Sequence, residues 1–302
     1  VTRTLSDDEV RKAVPMRDAV EAVRDAFDGL AAGHFTQPER LVFGDGRVLV
    51  MTAYHEPSGT GVVKTLGVQL DRDPAILGTV VWTGAGEPLV ADATAVTTLR
   101  TGAVTGVATD LLAPPSAGHL ALLGSGAQAA DQVRAIAAVR ELREVAIHSR
   151  TTGNARALSE RLGTEFPAVS FRVAESVEDA LADAEIVNCA TSSETPLFAL
   201  SALPQNVHVN AIGSFRPSMR ELPGELLATA SIVVVDQIGA ALEEAGEVIK
   251  AVEDGVLDRG SIVELGAALR EPPAVSGRTV FKSVGVAAQD WAIARSLAAY
   301  EE

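Results

Sequence analysis

An α/β fold is predicted for this chain, with a Rossmann-type doubly wound parallel sheet in its second part and an α+β domain before it. Three observations predict it. Beyond His119, short apolar runs alternate with helical patterns, the rhythm of βαβ units. Before Pro114 the apolar runs are β-branched or aromatic and separated by turn residues, which reads as an antiparallel sheet. The turn Gly124-Ser125-Gly126-Ala127-Gln128-Ala129 stands between an apolar run and a helical pattern, the place where a parallel sheet binds a dinucleotide. With 302 residues, 47% of them apolar, the chain can fill two cores.

Taken in order, Ala19, Ala22, Val23, Ala26, Phe27 and Leu30 recur at helical spacing and predict an amphipathic helix over residues 18–30. Strands are expected at Leu41-Val42-Phe43, Val48-Leu49-Val50-Met51, Gly61-Val62-Val63-Lys64 and Thr79-Val80-Val81-Trp82, between clusters such as Gly44-Asp45-Gly46. A helix of small residues follows over about 95–112 and stops at Pro114-Pro115, a natural linker. Parallel strands are then expected at residues 119–123, 144–148, 170–173, 185–189, 207–212 and 232–235, because strands buried on both faces are almost continuously apolar. The segment from Gln289 to Ala298 is again helical and is expected to return to the first domain.

Charge narrows the partners. Lys and Arg number 25 against 40 Asp and Glu, so 25 − 40 = −15, a sign that repels nucleic acid and anionic membranes at long range. Neither is expected as a partner. A small anion is not excluded, since a few buried cations set the potential within a cleft. A single cysteine, Cys189, permits no intrachain disulfide and no thiolate cluster, consistent with a cytoplasmic protein. The stretch from Val1 to Val10 has no signal-peptide pattern, and no apolar stretch reaches the length of a membrane span. The five histidines show no metal-ligand spacing.

In the glycine turn, Gly124 permits the tight bend, Gly126 lets the backbone approach a pyrophosphate, and Ala129 keeps helix and strand close. Ala127 and Gln128 lead into the helix N-terminus, whose N–H groups and dipole favour phosphate. The end of the next strand reads His148-Ser149-Arg150-Thr151. No carboxylate is present there for the ribose hydroxyls of NAD, whereas Arg150 flanked by Ser149 and Thr151 suits a 2′-phosphate. NADP(H) is favoured as cofactor, and NAD(H) stays open. Asp236 closes an apolar strand at the ligand-binding edge of the sheet, where turn capping is an equal alternative.

The segments Gln37-Pro38-Glu39-Arg40, Val62-Val63-Lys64, Leu99-Arg100-Thr101-Gly102-Ala103, Leu123 to Ala129, Asn210-Ala211-Ile212-Gly213 and Phe281-Lys282-Ser283-Val284-Gly285 together resemble the ornithine cyclodeaminase/mu-crystallin family. The resemblance implies a substrate-binding and dimerisation domain of residues 1–113 plus 286–302, a Rossmann domain of residues 114–285, and a homodimer. It also implies a cleft between domains holding nicotinamide against a small anionic amino or imino acid. Arg40, Lys64 and Arg100 would line the substrate side, where an α-carboxylate needs cationic partners. Ser283 and Gly285 would lie near the nicotinamide by likeness alone. Lys64, desolvated, would serve in proton transfer.

Cyclodeaminases of the family carry an Asp two residues after the Asn-Ala-x-Gly segment; here Phe215 stands there, beside Arg216. A phenyl ring accepts no proton, so ornithine cyclisation is disfavoured. The sequence Arg216-Pro217-Ser218-Met219-Arg220-Glu221-Leu222 resembles instead mu-crystallin and the cyclic-imine reductases. The expected reaction is NAD(P)H-dependent reduction of a cyclic ketimine carboxylate such as Δ1-pyrroline-2-carboxylate. Alanine dehydrogenase activity, ornithine cyclodeaminase activity and a mu-crystallin-like role in NADPH-dependent ligand binding are the alternatives. Asp290 and Trp291, on the terminal helix, are assigned no catalytic part.

Overall fold

Three of the four apolar runs expected in the first part become strands longer than the runs themselves, because alternation continues through their polar neighbours. A computed structural model describes residues 2–69, 76–84 and 86–300; Val1, Glu301 and Glu302, at the ends of the predicted first domain, lie outside them. The chain divides into two units, Val1–Val104 with Val286–Glu302, and Thr105–Gly285.

The sheet of the first unit comprises β1 (Arg3–Leu5), β2 (Phe35–Thr36), β3 (Leu41–Phe43), β4 (Val48–His55), β5 (Thr60–Val68), β6 (Ile76–Thr83) and β7 (Leu89–Asp92). Its order is β1-β7-β6-β5-β4-β2, with β3 also on β4. The pairs are antiparallel except β1 with β7, which run parallel. The sheet is therefore mixed rather than antiparallel throughout, a difference made by strands of two to four residues that are too short to show alternation.

Along β5 the inward positions are Thr60, Val62, Lys64, Leu66 and Val68. The terminal helix Ala287–Ala299 packs against β4, β5 and β6 and against the helix Met16–Ala31. Trp291 anchors it, donating from Nε1 to Thr60 Oγ1 at 2.9 Å.

The second unit holds β8 (His119–Leu123), β9 (Glu144–His148), β10 (Ser170–Val173), β11 (Ile186–Cys189), β12 (Val207–Ala211), β13 (Ile232–Val235), β14 (Ile262–Glu264) and β15 (Arg278–Lys282), all parallel in the order β10-β9-β8-β11-β12-β15-β13-β14. One face buries Leu120, Leu122, Val133, Ile136 and Ile147; the other buries Leu123, Val187, Val209, Val235 and Val280. The last strand of the chain, β15, lies inside the sheet between β12 and β13, and neither it nor β14 was expected as a strand.

The small-residue helix runs Ala93–Leu112 and is buried on nearly every side, as a helix without a polar face must be. The division between units falls within it, after Val104, rather than at the proline pair. Its C-terminal carbonyls are capped by Arg140, which donates to the backbone oxygens of Thr109, Asp110, Ala113 and Pro114 and to Asp110 Oδ1. One buried guanidinium thus supplies the donors that helix ends ordinarily find in water.

Candidate active site

In the second unit, β8 ends at Leu123 and the chain turns at Gly124 with φ of 114°. A Cβ at Gly124 would stand 2.4 Å from the Ala190 carbonyl oxygen, so only glycine fits. Gly126 is the converse: a Cβ there would meet nothing within 4 Å, leaving the open approach that a pyrophosphate requires. Ala127 is exposed beside it, Gln128 precedes the first helical residue, and Ala129 is fully buried where helix meets strand. The Gln128 Oε1 atom is buried and has no hydrogen-bond partner among the described residues. These residues fit a dinucleotide phosphate at the N-terminus of the helix Ala129–Val139.

At the end of β9, Ser125 Oγ donates to Ser149 Oγ at 2.8 Å, joining the turn to the predicted ribose site. Arg150 is exposed, and Thr151 is the N-cap of the helix Thr152–Glu165. Ser283 and Gly285 are held from beneath by Asp236: its Oδ2 accepts from Ser283 Oγ at 2.9 Å, Val284 N at 2.9 Å and Gly285 N at 2.7 Å. Asp236 is a loop anchor at the carboxyl edge of the sheet.

The loop after β12 is tied down by Glu221, Lys282 and Glu247, to which the sequence assigned no role. Glu221 is buried and accepts from Thr191 N, Thr191 Oγ1, Gly213 N and Ser214 N. Burial pushes its carboxyl up and Lys282 opposes this. All four partners donate, so the group they hold is the carboxylate. Lys282 donates to Ser214 O at 2.6 Å and Ser214 Oγ at 2.7 Å, and that hydroxyl donates to Glu247 at 2.6 Å. The mark the sequence did carry is that Glu221 and Lys282 fall within segments that resemble the family. On the loop surface the Arg216 guanidinium lies 5.4 Å from the Phe215 ring centroid, a cation–π contact.

In the first unit, Lys64 occupies an inward position of β5 and is fully buried. Its Nζ donates to Asp290 Oδ1 at 2.8 Å, and Arg100 Nε lies 3.5 Å from the same oxygen. Arg100 Nη1 donates to Gln289 Oε1 at 2.5 Å. Burial pushes the Lys64 ammonium down to about 7; Asp290 opposes the shift, while Arg100 and the half-buried Arg40 add to it. Three cations that the sequence singled out thus act on one another within one unit, and Asp290 and Gln289, which it passed over, hold two of them.

A doubly wound sheet with this glycine turn, carried on a chain whose other unit buries a cationic cluster, defines a nicotinamide-dependent oxidoreductase. The chain belongs to the ornithine cyclodeaminase/mu-crystallin family, whose model matches residues 1–301. A Δ1-pyrroline-2-carboxylate reductase of Bacillus cereus (strain ATCC 14579) is 34% identical over 314 aligned residues, covering 97% of this chain and 94% of that protein. A second, from strain ATCC 10987, is 40% identical over 220 residues, covering 70% of this chain and 66% of its own length. The Δ1-pyrroline-2-carboxylate reductase of Thermococcus litoralis, solved with NADH and L-proline, superimposes with a TM-score of 0.92 at 26% identity, covering 98% of this chain and 96% of that one.

Proposed function

We propose that this chain reduces a small cyclic ketimine carboxylate, such as Δ1-pyrroline-2-carboxylate, to the L-imino acid with NAD(P)H. The observation that carries it is the buried pair Lys64 and Arg100, gathered about Asp290 Oδ1 at 2.8 and 3.5 Å. Cationic side chains gathered in a buried place suit an α-carboxylate, which Arg can hold with two parallel hydrogen bonds. The bound nicotinamide supplies hydride to C2. The nitrogen of the C=N bond then takes a proton as the π bond is lost, and Lys64, which burial pushes down to about 7, is the proposed donor. Phe215 leaves the loop after β12 without the carboxylate that cyclisation of ornithine uses. The names of the relatives point the same way.

Two finer readings go with it. Arg150, with Ser149 and Thr151, favours NADP(H). The outer face of the first sheet exposes Leu41 and Phe43 at 55% and 53%, with Val48, Tyr54, Val63 and Leu77 alongside on β4, β5 and β6. A monomer seldom leaves such an apolar strip in water, which supports a homodimer paired through this face. Among the described residues no helix is long and apolar enough to cross a membrane.

The test is a screen of NADPH and NADH oxidation with five- and six-membered cyclic imine carboxylates, with pyruvate plus ammonium, and with ornithine in the reverse sense. Turnover of a cyclic imine carboxylate is expected. Turnover of pyruvate plus ammonium with none on any cyclic imine would overturn the proposal.

A further inference from the structure

The terminal helix spends two buried positions on polar side chains where its neighbours are apolar. Ala287, Ala288, Trp291, Ala292, Ile293 and Ala294 are buried around Gln289 and Asp290, both fully buried themselves. Their cost is visible, since Gln289 Nε2 and Asp290 Oδ2 have no hydrogen-bond partner among the described residues. Each such buried atom keeps a desolvation cost with no hydrogen bond to offset it, and a packed apolar residue would remove that cost. What they retain is specific: Gln289 holds Arg100, and Asp290 holds Lys64.

We propose that Gln289 and Asp290 are positioning residues that together set the substrate-side cations, Gln289 by orienting Arg100 for the carboxylate and Asp290 by placing Lys64 and keeping it protonated. The proposal rests on the imine-reductase reading for its substrate and on the geometry alone for its residues. The groups that bear on Lys64 come from every element around it. Asp290 comes from the terminal helix, Arg100 from the helix Ala93–Leu112, and Arg40 from the segment before β3. Its partners across the sheet, Met51 on β4 and Val80 on β6, carry no charge. Asp290 is the anion that meets Lys64 among the described residues, so its loss takes away the charge that favours the ammonium and releases the Lys64 proton at lower pH.

The experiment combines Asp290→Asn, which keeps the shape and removes the charge, with Asp290→Ala and Gln289→Ala. The Lys64 ammonium is titrated by nitrogen NMR in the enzyme without substrate and assigned with Lys64→Arg, while calorimetry measures L-proline binding. In Asp290→Asn the Lys64 titration is expected to move acidward by about one unit or more. The kcat at pH 7 should fall about 5-fold and recover as the pH is lowered, with KM little changed. Gln289→Ala should raise KM and weaken L-proline about 10-fold, the worth of one charge-assisted hydrogen bond, with the Lys64 titration in place.

An unmoved Lys64 titration in a folded Asp290→Asn would overturn the role of Asp290, and unchanged L-proline affinity in a folded Gln289→Ala would overturn that of Gln289. Should Asp290→Ala fail to fold, the isosteric Asn variant still decides. A wild-type enzyme that binds no L-proline and turns over no cyclic imine would refute the substrate reading, while the Lys64 titration would still judge Asp290 by itself.

Discussion

Replacing Arg150 with Ala separates a cofactor role from a surface charge. Arg150 is exposed at the end of β9, one residue before the N-cap of the helix Thr152–Glu165. A guanidinium there can meet a 2′-phosphate with two charge-assisted hydrogen bonds, worth about 1.5–3 kcal/mol each when shielded. Exposure and salt reduce this, so about 2 kcal/mol is expected in total, or about 30-fold in kcat/KM. NADH has no 2′-phosphate to lose. Steady-state kinetics should therefore show an NADPH-selective loss of about 30-fold, a change within about 2-fold for NADH, and an NADPH preference in the wild type that shrinks at high salt. Equal losses with both cofactors, or none with either, would refute the 2′-phosphate assignment.

The two glycines of the turn should behave oppositely. Gly126→Ala, facing open space, should keep the wild-type Tm and weaken cofactor binding at least about 10-fold, whereas Gly124→Ala, strained at its φ and abutting Ala190, should lower Tm itself; a Gly126→Ala variant with wild-type cofactor affinity would show that no phosphate sits there. Acid stability should report on His208, whose buried ring lies between Thr279 Oγ1 and Asn210 at 2.9 and 3.0 Å and whose pKa burial lowers from 6.5 to about 4. The unfolded chain then binds a proton that the folded one refuses, so stability is complete above about pH 6.5 and falls by about 3 kcal/mol on the way to pH 4. In urea titrations across that range His208→Gln should lose about 1.4 kcal/mol per pH unit of this slope, and identical slopes would show that His208 is not the titrating group.

What could be read in advance was whatever the chain writes locally. The glycine turn is six consecutive residues whose spacing carries the chemistry, and the strands β8 to β13 are compact apolar runs with bounds within a residue or so of those expected. Lys64 was legible for a related reason: it interrupts an apolar run at an inward position, where a charge calls for a function. Gln289 and Asp290 carried no such mark, because within an amphipathic helix a polar pair reads as the solvated face. Their burial depends on partners 189 and 226 positions away. Strand β15 was hidden likewise, since Val280 and Phe281 between Arg278 and Lys282 make too short a run to declare itself, and its place inside the sheet is set by β12 and β13 rather than by its own sequence.

The last 25 residues were therefore the least legible and are among the most consequential. They supply an internal strand and the Asp236-held loop of Ser283 to Gly285 to the second unit, and the Gln289–Asp290 pair to the first. A segment that meets distant partners in both units has its polar residues chosen by those partners. Polar residues on a helix packed against a sheet that buries a lysine are accordingly better treated as candidate counter-charges than as solvated surface. That inference was open to the sequence once Lys64 had been placed inward.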